Sequence, residues 1–546
     1  MIRLLLGPLL RHVGVDDATI WVETDRPCVV EVLGRSEPTW TVAGHHYALV
    51  RVDGLQPATT TTYDVRLDGE VVWPPADSER PPSRIRTLHR ERPVRIAFGS
   101  CRYACADAVS VDGPFDADAL NAYSREVAAL PDDEWPDALI LIGDQVYADD
   151  TSEATKARIR GRRDIHIGAG DQVADFEEYT WLYAESWTDP EVRWLLSTVP
   201  SAMIFDDHDV RDDWNTSHAW RTDMQATSWW QERIVGALSS YWVYQHLGNL
   251  SPTELDGNAL YQQVRSHDGD AEQLVREFAA AADREADGAK GARWSYRRDL
   301  GSVRLVMIDS RCGRILAEGA RGMIGAEELA WIEDQVDGDY DHLLIGTSLP
   351  WLLPRALHDL ESWNEVLCAG ARGPRVARWS EWFRRAADLE HWASFRASFD
   401  RLADLLGQVA RGERAGHPGG APATICVLSG DVHHAYVARV RYPEPIQSHV
   451  YQLTCSPLHN YVPRAMKLAF RVSWSRAAER VTRALLGLVA KVPPMTIAWT
   501  REAGPYFGNE LVTLVLRGRR AELTVQKSSP SDKPASLHEV ARMTLS

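Results

Sequence analysis

Four short segments of the chain gather side chains that bind cations or move protons, and each follows an apolar run. Gly-Ser-Cys at 99–101 ends one run on a thiol. Gly-Asp-Gln-Val-Tyr-Ala-Asp at 143–149 supplies Asp144 and Tyr147, while Asp-Asp-His-Asp at 206–209 and Ser-Gly-Asp-Val-His-His at 429–434 each set carboxylate and imidazole close together. Carboxylates gathered in one crevice repel one another and lose hydration, which is costly unless cations neutralise them. In that role Asp144, Asp207 and Asp431 offer hard oxygen and His433 an imidazole nitrogen; Cys101 and Tyr147 are anionic donors suited to a strongly Lewis-acidic ion such as ferric iron. A pair of adjacent cations would activate water and clamp the oxygens of a phosphoryl group. His208, set between carboxylates, should titrate high, which suits it to donate a proton to a leaving oxygen.

Other residues near these motifs are less decided. Arg211 and Arg311 could each hold a phosphoryl group bidentately or pair with local carboxylates, and Asp309 is equally open. His434 should diverge from His433, because neighbours on an extended segment point apart. His358, with Trp363 and Asn364, is a candidate for lining a pocket. Trp229, Trp230, Tyr241, Trp242 and Tyr244 have partly helical spacing and read as core rather than as a stacking platform.

The elements that must position these groups are apolar runs at 94–98, 138–142, 202–205, 303–308, 342–345 and 425–428, each ending on polar chemistry. Open α/β sheets place their sites at strand C-termini, so the runs predict buried strands converging on one crevice. From residue 92 onward such runs alternate with helical segments, which predicts an α/β core. Ahead of it, β-rich runs at 18–23, 28–33, 47–52 and 61–66 predict a small sandwich similar to fibronectin type III domains, closed by a proline-marked linker at 74–82. Two insertions stand out, a basic one at 151–179 and an acidic, alanine-rich helix at 268–291. Residues 464–491 have a basic amphipathic pattern, read as a helix packed on the core or lying over the site in preference to a membrane-surface helix. A hairpin over 510–526 could finish a sheet.

With 546 residues the chain is too long for one core. Its formal net charge of −17 disfavours a nucleic-acid partner. No apolar run approaches the length of a spanning helix, so stable membrane insertion is not expected. The N-terminus lacks a secretion-signal pattern, and the seven cysteines are odd in number and scattered, which predicts a cytoplasmic, reducing setting.

The motifs at 99–101, 143–149, 206–209 and 429–434, with Gly-Thr-Ser-Leu-Pro-Trp at 346–351, resemble in type and order those of the PhoD-like alkaline phosphatase family, a branch of the calcineurin-like metallophosphoesterases. The resemblance covers most of residues 92–460. It implies a four-layer α/β sandwich over 91–465, preceded by the β-sandwich of 1–90 and followed at 466–546 by a helix and hairpin that complete or cover it. It also implies a ferric ion held by Cys101, Asp144, Tyr147 and His433, with Asp144 bridging to one or two calcium ions near Asp207 and Asp431. Asp213 stands where members often carry asparagine and joins the ligand set on that basis. Two features depart from the wider superfamily: Gly-Ser-Cys replaces an Asp-x-His motif, and Asp207-His208 an Asn-His pair. The added oxygen suits calcium better than zinc, with other divalent metals as alternatives.

The expected activity is hydrolysis of small phosphate mono- or diesters through a metal-activated water. One rival is a nuclease or nucleotide phosphodiesterase that grips a polyanion through Lys156, Arg158, Arg160, Arg162 and Arg163. A non-catalytic metal-binding scaffold is the other. Substrate identity and oligomeric state stay open.

Overall fold

The computed structural model describes residues 2–105, 108–110, 113–287, 291–417, 420–529 and 534–546. Two large sheets face each other at its centre. One runs in the order Ser201–Ile204, Ala138–Ile142, Val94–Gly99, Glu510–Arg517, Arg520–Ser528, Leu537–Thr544. Its first three strands are parallel; the remaining pairings are antiparallel. The other runs Tyr296–Leu300, Val303–Ile308, His342–Thr347, Thr424–Ser429, His449–Thr454, Ala435–Arg441, Ala498–Tyr506, with a parallel centre. All six apolar runs predicted as strands form strands.

Side-chain alternation divides the second sheet between two cores. Leu305, Met307, Leu344, Cys426 and Leu428 face the other sheet and share a core with Ile96, Phe98, Leu139 and Ile140. Val306, Ile308, Leu343, Ile345, Ile425 and Val427 face outward, where Ile332 of helix Ala326–Gln335, its capping Val336, and Phe399, Leu402 and Leu406 of helix Arg396–Arg411 cover them. Strands buried on both faces read as unbroken apolar runs, which is why these were legible. Helix Ala119–Ala129 packs on the outer side of the first sheet, completing the expected four-layer α/β sandwich.

The N-terminal β-sandwich pairs the sheet Leu4–Val13, Asp17–Thr24, His45–Asp53, Trp40–Val42 with the sheet Arg35–Pro38, Val29–Val32, Val65–Leu67, Glu70–Trp73. Leu10, Ile20, Val22, Ala48 and Val50 fill the space between the sheets. Their neighbours Leu9, Trp21, Tyr47 and Leu49 point the other way, into the core of the large sheets. There Trp21 meets Trp187 edge-on, ring centroids 6.4 Å apart, and Tyr244 at 5.2 Å. Arg11, fully buried, donates to the carbonyls of Tyr244 (3.3 Å) and Gln245 (2.7 Å) and to Asn249 Oδ1 (3.1 Å). The sandwich is thus fused to the rest by a buried face instead of tethered to it.

The basic amphipathic segment forms two helices, Arg464–Ser473 and Arg476–Gly487. The packed-helix expectation does not hold for its apolar side: Leu468, Val472, Val481, Leu485 and Leu488 are all exposed.

Candidate metal centre

Each motif occupies the tight loop after its strand, and several of its residues adopt a backbone that side chains other than glycine rarely take. Cys101, Asp144, Asp213, Asp431 and His433 have φ of 55°, 52°, 64°, 66° and 48°. A left-handed conformation at such residues costs roughly 1–3 kcal/mol each and persists where surroundings over-determine it, most often at functional sites. Glycines bring the loops together. A Cβ on Gly143 would lie 2.5 Å from Asp206 Cβ, and one on Gly430 would lie 2.1 Å from Ser100 Oγ and 2.8 Å from the Ile142 carbonyl oxygen. Backbone hydrogen bonds lock the crossing: Cys101 N–H donates to the Gly143 carbonyl (3.2 Å) and Arg102 N–H to that of Asp144 (3.0 Å).

Asp144, Asp207, His208, Asp213, Asp431 and His433 line one cavity of about 600 Å³. Neither carboxylate oxygen of Asp144 has a hydrogen-bond donor, and Asp206 and Asp213 each bury one oxygen without a donor, while Asp207 Oδ1 faces the Arg311 guanidinium at 3.1 Å. One oxygen from each of Asp144, Asp206 and Asp207 lies within 4.8 Å of the others. Buried anionic oxygens without donors are expensive, and a cation is the group that removes the penalty. Asp144, Asp206 and Asp207 therefore fit a metal ion; among the described residues no such group takes in Cys101, Asp431 or His433. Burial, with the Cys101 thiol next in weight, pushes Asp144 well above the usual carboxylate range, and burial, against the pull of Arg311, lifts Asp207 to about 6. Both shifts arise mainly because burial disfavours the charged form.

Cys101 is fully buried, its Sγ 3.9 Å from the Asp431 carbonyl oxygen, and burial raises the thiol to about 12. Tyr147 accepts from Asn460 Nδ2 at 2.8 Å and lies against the His208 ring, centroids 4.8 Å apart. His433 is lowered to about 4 by burial, so its ring is neutral and available as a ligand. His208 Nδ1 bonds Asp149 Oδ1 at 2.9 Å, and its Nε2 is 3.9 Å from Asp212 Oδ1. Burial alone would lower His208; the charges of Asp149 and Asp207 outweigh it and hold the imidazole well above its ordinary range.

Several residues stand elsewhere than the motifs implied. Arg311 does not line the cavity. It is completely buried among Asp206 (2.5 Å), Glu390 (2.5 Å), Asp207 (3.1 Å) and Asp431 (3.6 Å). Arg211 turns away to Gln172 Oε1 (2.8 Å) and the Trp229 ring. Asp309 accepts from the N–H groups of Arg311, Cys312 and Gly313, closing a turn. His358 is core, its ring packed on Phe399 and Trp499. His434 points away from His433, as expected, and packs on Phe470. Sequence reasoning missed His391, which bonds Asp431 Oδ2 at 2.9 Å, and its partner Glu361, at 2.8 Å from the other ring nitrogen. It also missed Glu390, and Asp209, whose carboxylate accepts from the N–H groups of Asp144 (2.9 Å) and Asp206 (2.8 Å) and so braces both loops. No strand ending flags His391, Glu361 or Glu390; Asp209 lay in view inside Asp-Asp-His-Asp.

Carboxylates, imidazole, thiol and phenol at the strand ends of a two-sheet α/β sandwich are the kind of donor set a metallophosphoesterase uses. The chain belongs to the PhoD-like phosphatase family, whose model matches residues 103–488. Residues 1–85 match a domain of unknown function, DUF7800. No curated protein matches the sequence. In fold the chain is similar to the structure of PhoD, at 12% identity and a TM-score of 0.58, covering 99% of this chain and 90% of that one. It is also similar to a purple acid phosphatase from yellow lupin (Lupinus luteus) seeds, at 12% identity and a TM-score of 0.50, covering 99% and 74%. Among the described residues, no helix is long and apolar enough to cross a membrane.

Proposed function

We propose that the chain hydrolyses small organic phosphate mono- or diesters, with Cys101, Asp144, Tyr147 and His433 holding a ferric ion and Asp144, Asp207 and Asp431, with Asp213 adjoining, holding one or two calcium ions. The observation that carries this reading is the pair of buried, donor-less oxygens of Asp144 on the wall of a cavity it shares with Asp207 and His208. Ions bound there would supply Lewis acidity that acidifies water and neutralises phosphoryl charge. His208 is the proton donor to the leaving oxygen: Asp149 fixes one ring nitrogen, the imidazole stays protonated, and a quarter of the side chain is open. Leu353, Leu357, Leu389 and Phe470 give the cavity an apolar wall for the ester's organic part. Arg311 acts as a fixed buried cation that keeps the carboxylates in place, and it reaches no substrate.

The nuclease reading is weakened because most of the basic insertion is already engaged within the protein. Arg162 pairs with Asp175 and Glu178, Arg163 with Glu178, Lys156 with Glu153, and Arg158 lies over Trp181. A cytoplasmic setting is supported by thiols at Cys28, Cys101, Cys312, Cys368, Cys426 and Cys455 that form no disulfide.

The test is elemental analysis of the untagged protein with hydrolysis of nitrophenyl phosphate mono- and diesters, for the parent, D144N and H208A. Expected is bound iron and calcium with turnover in the parent, loss of both in D144N, and metal without turnover in H208A, which falls roughly 100- to 10,000-fold. A metal-free parent, or an H208A enzyme as active as the parent, overturns the reading.

A further inference from the structure

The helices Arg464–Ser473 and Arg476–Gly487 each turn an apolar stripe to solvent, which an ordinary surface helix does not. On the first, Ala465, Leu468, Ala469 and Val472 recur at helical spacing; on the second, Ala477, Val481, Leu485 and the capping Leu488 do the same. Leu468, Leu485 and Leu488 are 64%, 60% and 80% exposed. Inward, Phe470 packs on His434 and Leu486 on the cluster around Trp363, while Glu479 meets Arg355 at 3.7 Å and Arg483 reaches Asp359 at 3.8 Å. Flanking the stripes, Arg464, Arg471, Arg476 and Arg480 are exposed, and Glu479, the sole carboxylate of the two helices, is the one Arg355 neutralises. A third helix, Pro374–Ala386, exposes Trp379 (54%) and Trp382 (63%). Met466 and Phe470 from the first helix and Arg385 and Ala386 from the third line the metal cavity itself.

We propose that this surface docks on a lipid bilayer bearing anionic headgroups, the leucines and tryptophans entering the headgroup boundary and the arginines meeting lipid phosphate. Exposed apolar area of this extent marks an interaction site, and basic flanks around an apolar stripe are the signature of an interfacial helix. Charge selects the occupant. The chain carries −17 overall, yet this patch is locally positive, so it is attracted to an anionic sheet, whereas a second copy would bring the same arginines face to face. If the phosphoesterase reading holds, on which this last step rests, the substrate is a phosphoester presented at a membrane, because the docking helices border the cavity.

Flotation of the full chain with vesicles of phosphatidylcholine alone, and of phosphatidylcholine mixed with phosphatidylglycerol, tests the docking without any turnover. Expected is binding to the mixed vesicles that weakens with salt and drops roughly tenfold or more in L468E/L485E and in R476E/R480E. Hydrolysis of a soluble nitrophenyl ester by both variants should equal the parent's. Failure of the parent to float with mixed vesicles at low salt, or L468E/L485E floating as the parent does, overturns the proposal; so does a parent dimer that L468E/L485E dissociates. Vesicle binding without hydrolysis of any ester supports the docking while sinking the phosphoesterase reading.

Discussion

The imidazole of His391 bridges Asp431 Oδ2 at 2.9 Å and Glu361 Oε1 at 2.8 Å, tying a proposed metal ligand to the helix Arg355–Cys368. Groups that orient a ligand from behind typically set metal affinity by 10- to 100-fold. H391A should therefore lose metal to a chelator faster than the parent, by a factor of that order. The check is metal content after timed dialysis; equal retention would show the bridge to be ornamental.

Arg311 is fully buried against three carboxylates within 3.1 Å. Removing one partner of a buried ionic cluster leaves uncompensated charge, which costs about 3–5 kcal/mol. R311M should lose stability on that scale in urea unfolding followed by tryptophan fluorescence. A loss under about 1 kcal/mol, the size of an ordinary substitution, would contradict the reading.

Gly430 has no room for a side chain, since the Ile142 carbonyl is backbone and cannot swing aside. In G430A the loop carrying Asp431 and His433 must shift away from that of Ser100. Turnover and metal content should fall while far-ultraviolet circular dichroism stays at the parent's value. Unchanged activity would mean the loops have slack that the contacts do not show.

His45 of the N-terminal sandwich bonds Glu23 (3.0 Å) and, across the interface, Glu177 (2.8 Å). Burial disfavours its charge, but the carboxylates win and raise it from 6.5 to about 9, while the His45 hydrogen bond lowers Glu177 from 4.5 to about 2. A raised histidine stabilises fully below pH 6.5 and loses the effect as pH climbs through about 9; a depressed glutamate stabilises above pH 4.5 and loses it as pH falls through about 2. The Tm gap between parent and H45Q should be widest between pH 4.5 and 6.5 and close toward pH 9. A gap independent of pH would refute the charge on His45.

Much of this was legible in the sequence because a strand buried on both faces writes a short unbroken apolar run, and the residue after it is where chemistry sits. Asp144, Asp207, His208, Asp431 and His433 were found that way and share one cavity. Arg311 and Arg211 were not resolved, since adjacency in the chain says nothing about which way a long side chain swings. His391 and Glu390 lie in the turn after helix Pro374–Ala386, with no strand to announce them. The fusion of the sandwich had a signal that went unread: Ile20-Trp21-Val22 does not alternate, and a strand apolar on both sides needs two cores.

Strand Glu510–Arg517 inserts beside Val94–Gly99, the strand that delivers Cys101. During synthesis the edge of that early strand must wait, unpaired, while more than four hundred later residues are translated. The frame of the cysteine loop is therefore complete only once strand Glu510–Arg517 has been made, and a chain truncated before it lacks one of the two strands that flank Val94–Gly99.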